Sequence, residues 1–323
     1  MSDEGAAVRK KRGARRQSVR GGWLALAVLA LGLAPRAQAV EFVLLPDESA
    51  VGAVATTTVR QGETLPDIAR AHDVGYAEIV TANPGIDPWL PPPGSSVVLP
   101  LRFLLPDAPR RGIVVNLAAR RLFYFPRQGG AVETYPIGVG VEGRDTPKGV
   151  SRVTGKETDP VWYPPPSIRA EQPELPPAVP AGPANPLGEY ALRLAWPNYL
   201  IHGTNKPDGV GRNVSHGCLH LYPEDIARLY REVPIGTPVR VINEPVLAAW
   251  SGGALYLQAY LDKDQVDALD EGKQIPVRPP SDLVARIADA AGDAESRVDW
   301  PSVDRAGKER NGLPVVVIPP KSP

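Results

Sequence analysis

Residues 199–204 read Tyr199-Leu200-Ile201-His202-Gly203-Thr204, and residues 215–221 read Ser215-His216-Gly217-Cys218-Leu219-His220-Leu221. Cys218 is the single cysteine of the chain, and three of its four histidines, His202, His216 and His220, fall within the nineteen residues from 202 to 220. A thiol becomes a nucleophile as thiolate, and a neighbouring imidazole can take its proton if an acceptor on the other ring nitrogen holds it in one orientation. Gly217 lets backbone approach a substrate carbonyl closely, and consecutive N–H groups beside it can stabilise an oxyanion. The run therefore holds the parts for acyl transfer. Two other readings remain open on these residues. One is structural hydrogen bonding, the default for the remaining histidine, His72. The other is a His3Cys metal set, since His216, Cys218 and His220 share a face if extended and His202 completes it. A helix is expected immediately afterwards, with Pro223 near N1, Glu224 and Asp225 in its first turn, and Ile226, Leu229, Tyr230 and Val233 on one face.

Upstream the pattern is β-rich. Strands are expected over 113–117 and 121–125 around a turn at 118–120, with a third over 134–139. Gly138, Gly140 and Gly143 spell G-x-G-x-x-G, but the following Arg144-Asp145-Thr146-Pro147-Lys148-Gly149 is turn chemistry whose proline interrupts any helix, which excludes a dinucleotide fingerprint. Residues 160–187 carry ten prolines, with Trp162 and Tyr163 at the start. That composition predicts a stiff extended loop with little helix or sheet, either walling a substrate groove or wrapping the domain. Residues 53–101 read as strand, helix, helix, strand. Strand 56–60 leads to an N-cap at Thr64 with Pro66 and Asp67 in the first turn; a second helix covers 76–82, ends at Asn83-Pro84-Gly85, and strand 96–99 closes the unit. Residues 245–323 hold a strand at 255–260, a helix at 282–291 and a strand at 315–318, a small accessory α+β unit.

The chain has 323 residues, 36 basic and 36 acidic, and its 43% hydrophobic content suffices for packed cores despite 38 prolines and 31 glycines. The N-terminus pairs a basic stretch (Arg9 to Arg20) with an apolar run of twelve residues from Trp23 and then Ala37-Gln38-Ala39. This is the pattern of a secretory signal peptide, residues 1–39; an uncleaved anchor needs about 20 apolar residues to span a bilayer. Arg15-Arg16 also leaves folded export open alongside the general route. Beyond residue 39 there are 28 basic against 34 acidic side chains, a net charge of −6 with no footprint for nucleic acid or anionic lipid. In an exported chain cysteines are usually spent in pairs, so a lone thiol points to chemistry.

Two family resemblances follow from these motifs. Gly62-Glu63-Thr64-Leu65, Asn83-Pro84, and Pro93-Gly94 with Val97-Val98-Leu99-Pro100 resemble a LysM module, which implies binding to the N-acetylglucosamine-containing glycan of peptidoglycan. His202-Gly203, Ser215-His216-Gly217-Cys218-Leu219-His220 and the segment from Gly140 to Gly149 resemble the YkuD-type L,D-transpeptidases of bacterial cell-wall assembly, over residues 112–243. This resemblance implies Cys218 as nucleophile, His202 as its base, and the Gly203 carbonyl orienting His202. His216 and the N–H groups of Gly217 and Cys218 then sit around the oxyanion, with Ser215 also shaping the site. Trp162, Tyr163, Tyr199 and His220 are candidates for substrate contact; many relatives carry Arg or Asn where His220 stands. The implied enzyme is β-rich α+β, needs no cofactor or metal, and takes peptidoglycan tetrapeptide stems through a thioester. Its acceptor is a neighbouring stem, a lipoprotein lysine or, for an L,D-carboxypeptidase, water. The implied location is the periplasm of a Gram-negative bacterium, with no membrane span after signal cleavage. The competing class is a LysM peptidoglycan-binding protein with a degenerate second domain.

Overall fold

The computed structural model describes residues 40–45, 48–141 and 143–321. The expected signal segment 1–39 lies outside the described residues. Among the described residues, no helix is long and apolar enough to cross a membrane.

A nine-stranded sheet organises the molecule. Its order is Val40–Val43, Ala131–Pro136, Arg121–Phe125, Gly112–Asn116, Pro238–Ile242, Gly149–Thr158, Tyr190–Leu194, Leu200–His202 and Leu219–His220. The ten-residue strand Gly149–Thr158 is the corner: its first half pairs with Pro238–Ile242 and its second half with Tyr190–Leu194, with a bulge between Val153 and Gly155 near the changeover. A bulge bends and twists its strand, which curls the sheet here. Every residue of Gly112–Asn116 and Arg121–Phe125 is buried, because Ile113, Val115 and Leu122 face one core while Val114, Phe123 and Phe125 face another closed by Val51 and Phe103. Burial on both faces is the reason these strands read as nearly continuous apolar runs in the sequence. Ile226, Leu229 and Val233, from and just beyond the helix Pro223–Glu232, pack into the first core.

Residues 53–101 follow their local signals closely. Strands Ala55–Thr58 and Ser96–Leu99 pair antiparallel around helices Leu65–Ala71 and Tyr76–Ala82. Thr64 Oγ1 accepts from the Asp67 N–H at 3.1 Å while the Asp67 carboxylate accepts from the Thr64 N–H at 2.9 Å, a reciprocal cap that starts the first helix. Asn83 donates to the carbonyls of Ile79 and Val98 and accepts from the Val98 N–H at 2.7 Å, tying the second helix to the closing strand. This module sits against the large sheet and the helix Pro223–Glu232 through charge. Arg121, on a buried sheet strand, donates to both carboxylate oxygens of Glu78 at 2.9 and 2.8 Å. Arg70 makes the same kind of fork with Glu224 at 2.8 and 2.9 Å, nearer the surface.

Three sequence expectations change. The third strand ends at Pro136 rather than 139, with Val139–Gly140 forming a separate short strand against Asn213–Ser215, since a proline cannot donate in the ladder. The proline-rich stretch contains a six-residue helix, Pro166–Glu171, which opens on a proline as first-turn geometry permits. The C-terminal unit has a three-stranded sheet, Val246–Ser251, Ala254–Ala259 and Val315–Ile318, plus helices Lys263–Asp270 and Trp300–Glu309 beyond the single expected helix.

Candidate functional site

Strand Leu200–His202 runs parallel to Leu219–His220, with Ile201 opposite Leu219 and His202 opposite His220. Ile201 and Leu219 enter the core, so by the two-residue period of strands His202 and His220 lie on the other face, and Cys218, one residue before its strand, falls on that face too. The register thus collects the only cysteine and two histidines on one surface. Their ring centroids, His202 to His220, stand 6.2 Å apart.

His202 is buried, and its Nδ1 lies 2.6 Å from the Gly203 carbonyl oxygen. A carbonyl only accepts, so this contact requires the proton on Nδ1 and leaves Nε2 as the basic nitrogen. Burial, reinforced by the neighbouring His220, lowers the His202 pKa to about 3, against a smaller upward pull from the Gly203 carbonyl. His220 is lowered to about 4, again by burial. Both rings are therefore neutral at pH 7. The half-buried Cys218 thiol donates toward the Asn198 carbonyl at 3.6 Å, and desolvation raises its pKa above the ordinary thiol value while the Leu200 backbone pulls the other way. Both shifts favour the neutral forms, a thiol and an uncharged imidazole on the same face of the sheet.

The loop before Cys218 is held at every residue. Gly217 adopts φ +104°, a conformation open to glycine and strained for other residues. Its N–H donates to Ser215 Oγ at 3.1 Å, Ser215 Oγ in turn donates to the Cys218 carbonyl at 2.5 Å, and Thr146 Oγ1 donates to the Gly217 carbonyl at 2.9 Å. The Gly217 N–H, expected to face an oxyanion, is committed to Ser215 instead. His216 points outward, with Nε2 3.6 Å from Glu171, and Glu171 also pairs closely with Arg144. The short helix in the proline-rich stretch therefore reaches the loop before Cys218. Burial and then Arg144 lower the His216 pKa.

The candidate substrate residues separate. Tyr199 packs edge-on to Trp196 and against Gly217, whose added Cβ would meet the Tyr199 ring at 2.9 Å. His220 sits beneath Gly138, where a Cβ would fall 1.9 Å from the imidazole, so only glycine admits this ring. Trp162 pairs through its backbone with Val179, Tyr163 is 70% exposed, and neither makes a hydrogen bond or ring contact with Cys218 or the histidines. Asn198, Glu171 and Gly138 join the site without having been expected; Asn198 follows Pro197, a turn signal, and has φ +65°. No grouping of three His, Cys, Asp or Glu placed to hold a metal occurs among the described residues, so the His3Cys arrangement is not formed.

The Cys-His face of the curled sheet falls within the residues that one family model matches. The model of the L,D-transpeptidase catalytic domain matches residues 110–241, and that of the LysM domain matches residues 57–100. Among curated relatives, probable L,D-transpeptidase YbiS of Escherichia coli (strain K12) is 38% identical over 300 residues, 90% of this chain and 96% of the relative. Probable L,D-transpeptidase YcfS of the same strain is 40% identical over 266 residues, 79% and 81% of the two chains. A crystal structure of an Enterococcus faecium L,D-transpeptidase is 25% identical over 41% of this chain and 50% of that one, with a TM-score of 0.32. The chain belongs to the L,D-transpeptidase family and is an L,D-transpeptidase carrying a LysM domain. Together the two domains imply a peptidoglycan ligand.

Proposed function

We propose that this L,D-transpeptidase works through Cys218 on peptidoglycan tetrapeptide stems, with His202 as its base. The observation that carries the reading is the 2.6 Å contact of His202 Nδ1 with the Gly203 carbonyl, which leaves Nε2 basic on the face that holds Cys218. As the thiol approaches the carbonyl carbon of the third stem residue, His202 Nε2 takes its proton and sulfur forms the new bond. The negative charge on oxygen is received by the Cys218 N–H, with His216 at the rim and Ser215 and Gly217 shaping the loop. The bond to the terminal D-alanine then breaks, its amine takes the proton from His202, and a thioester remains on Cys218. An acceptor amine attacks that thioester, gives its proton to His202, and the C–S bond breaks to restore the thiol. A diamino acid of a neighbouring stem yields a cross-link between third residues, a lipoprotein lysine yields an anchored protein, and water yields a carboxypeptidase product.

The remaining parts fit this role. Residues 1–39 act as the export signal to the periplasm, 53–101 hold the enzyme on the wall, 112–243 catalyse, and 245–323 support them. Incubating the chain from residue 40 with disaccharide-tetrapeptide is expected to give a thioester on Cys218, released D-alanine and a cross-linked product, read by mass. Cys218→Ala is expected to form no thioester while still sedimenting with peptidoglycan. Turnover by Cys218→Ala would overturn the mechanism.

A further inference from the structure

Among the described residues three arginines are buried: Arg120, Arg121 and Arg310. Two have a carboxylate gripped in the fork, Glu78 for Arg121 and Asp262 for Arg310. Arg120 has none. Its Nε and Nη2 share the amide oxygen of Asn213 at 3.3 and 3.1 Å, and Nη1 donates to the Ala118 carbonyl at 3.0 Å. These three bonds leave two of the five guanidinium N–H groups unassigned. Burial lowers its pKa only to about 10, and Asp270 and Asp267 act on it at longer range, so it is cationic at neutral pH. A buried guanidinium with only neutral partners is unfavourable unless something anionic completes it. Its backbone is also in the left-handed region, φ +50°, a strain that accumulates at functional positions.

Arg120 lines a cavity of about 560 Å³ between the catalytic region and the C-terminal unit. Gly140 and Thr146 form part of its wall, and these same residues touch the nucleophile loop: Thr146 Oγ1 bonds the Gly217 carbonyl, and a Cβ on Gly140 would lie 3.0 Å from Gly217 Cα. The cavity is therefore one residue layer away from Cys218. Around it stand Lys148, Lys263 and Arg278 with Asp145, Asp262 and Asp264, so that Arg120 brings the basic groups to four against three acidic ones. Lys263 pairs with Asp145, and Arg278 with Asp262 and Asp264. A cation inside and paired charges around it suit a ligand bearing both an amine and a carboxylate.

We propose that this cavity is the acyl-acceptor subsite, and that it selects an aliphatic amine carrying a free carboxylate, which Arg120 receives. The inference rests on the reading of Cys218 as the acyl carrier. Two acceptors share this chemistry, a diamino acid within a neighbouring stem and a peptide ending in lysine. The C-terminal unit thereby acquires a function, since Lys263, Asp264 and Arg278 complete the cavity from its side.

The test uses the chain from residue 40 with disaccharide-tetrapeptide as donor, and counts transfer relative to the thioester formed in the same samples. Acceptors are a diaminopimelate-containing stem and a lysine-terminated peptide, each as free carboxylate and as amide. At least one is expected to lose tenfold or more in transfer kcat/KM when amidated, and that acceptor identifies the natural source. In Arg120→Gln the carboxylate and amide forms are expected to converge. Should that variant fail to fold, the amide comparison on the unaltered chain still decides, and Lys148→Ala adds a milder change at the cavity. Equal transfer to carboxylate and amide forms of both acceptors would overturn the subsite. Absence of any thioester on the unaltered chain would instead overturn the reading of Cys218 beneath it.

Discussion

Two buried places in the molecule handle titratable groups in opposite ways. At the LysM junction, Arg121 is shut away with Glu78 and the two form a forked ion pair. At the site, His202 and His220 are equally shut away but have no carboxylate beside them, and both stay neutral. The first arrangement spends desolvation on fixing one part of the chain against another; the second leaves uncharged imidazoles on the face that holds Cys218.

The sharpest way to break this comparison is at His202. His202→Ala is expected to slow thioester formation by about 10²–10⁴-fold, the range for a lost general base. The deficit should shrink as pH rises past 9, where solvent ionises a thiol that burial holds above its ordinary value. Single-turnover acylation from pH 6 to 10 measures this, and a deficit that stays constant across that range would show that His202 does not act on the thiol proton.

At the other pole, Glu78→Ala strands the Arg121 guanidinium in the interior and is expected to lower stability by about 3–5 kcal/mol, measured by urea unfolding. Glu78→Ala retaining the unaltered chain's unfolding midpoint would show that the junction does not depend on the pair.

The neutral histidines have their own signature in acid. A histidine held neutral when folded takes up a proton only on unfolding as pH falls below about 6.5, so folded stability is lost from there down toward the folded values of about 3 and 4, at up to about 1.4 kcal/mol per pH unit for each. Glu232 and Asp270, raised to about 7 and about 6 chiefly by burial, act in the opposite direction, since they are more protonated folded than unfolded. The two chains should therefore be compared: His220→Gln is expected to lose less stability than the unaltered chain between pH 6.5 and 4.5. Equal losses would mean that His220 is not held neutral.

The smallest effect is at Arg70. Its fork with Glu224 matches the geometry of Arg121 with Glu78 but stays partly exposed, with Arg70 at 42% and Glu224 at 26% of side-chain surface. Arg70→Ala is expected to cost about 1 kcal/mol or less, which sharpens the claim that burial, not the ion pair itself, sets the difference.

How far the sequence could be read depended on how local each signal was. Thr64, Asp67 and Asn83 act within their own turns, and the LysM helices lie where those residues place them. The Cys218 and His202 motif was legible because its residues are rare in this chain, yet its face-sharing depends on a parallel register that spacing alone does not give. Glu171 came to the site from a stretch whose prolines argued against a helix, and its role follows from a contact across 45 residues with His216. The helix Lys263–Asp270 was missed because its strongest apolar anchor is Val266, while Asn213 and Arg212 hold it through polar contacts with Asp267 and Asp270 from far along the chain.

The raised thiol pKa of Cys218 also bears on survival between turnovers. Oxidants and disulfides react with thiolate far more readily than with thiol, and a chain with one cysteine has no internal partner to reverse such damage. A thiol held protonated by desolvation is quieter toward oxidants than a thiolate, so the desolvated wall that raises the Cys218 pKa also shelters its sulfur.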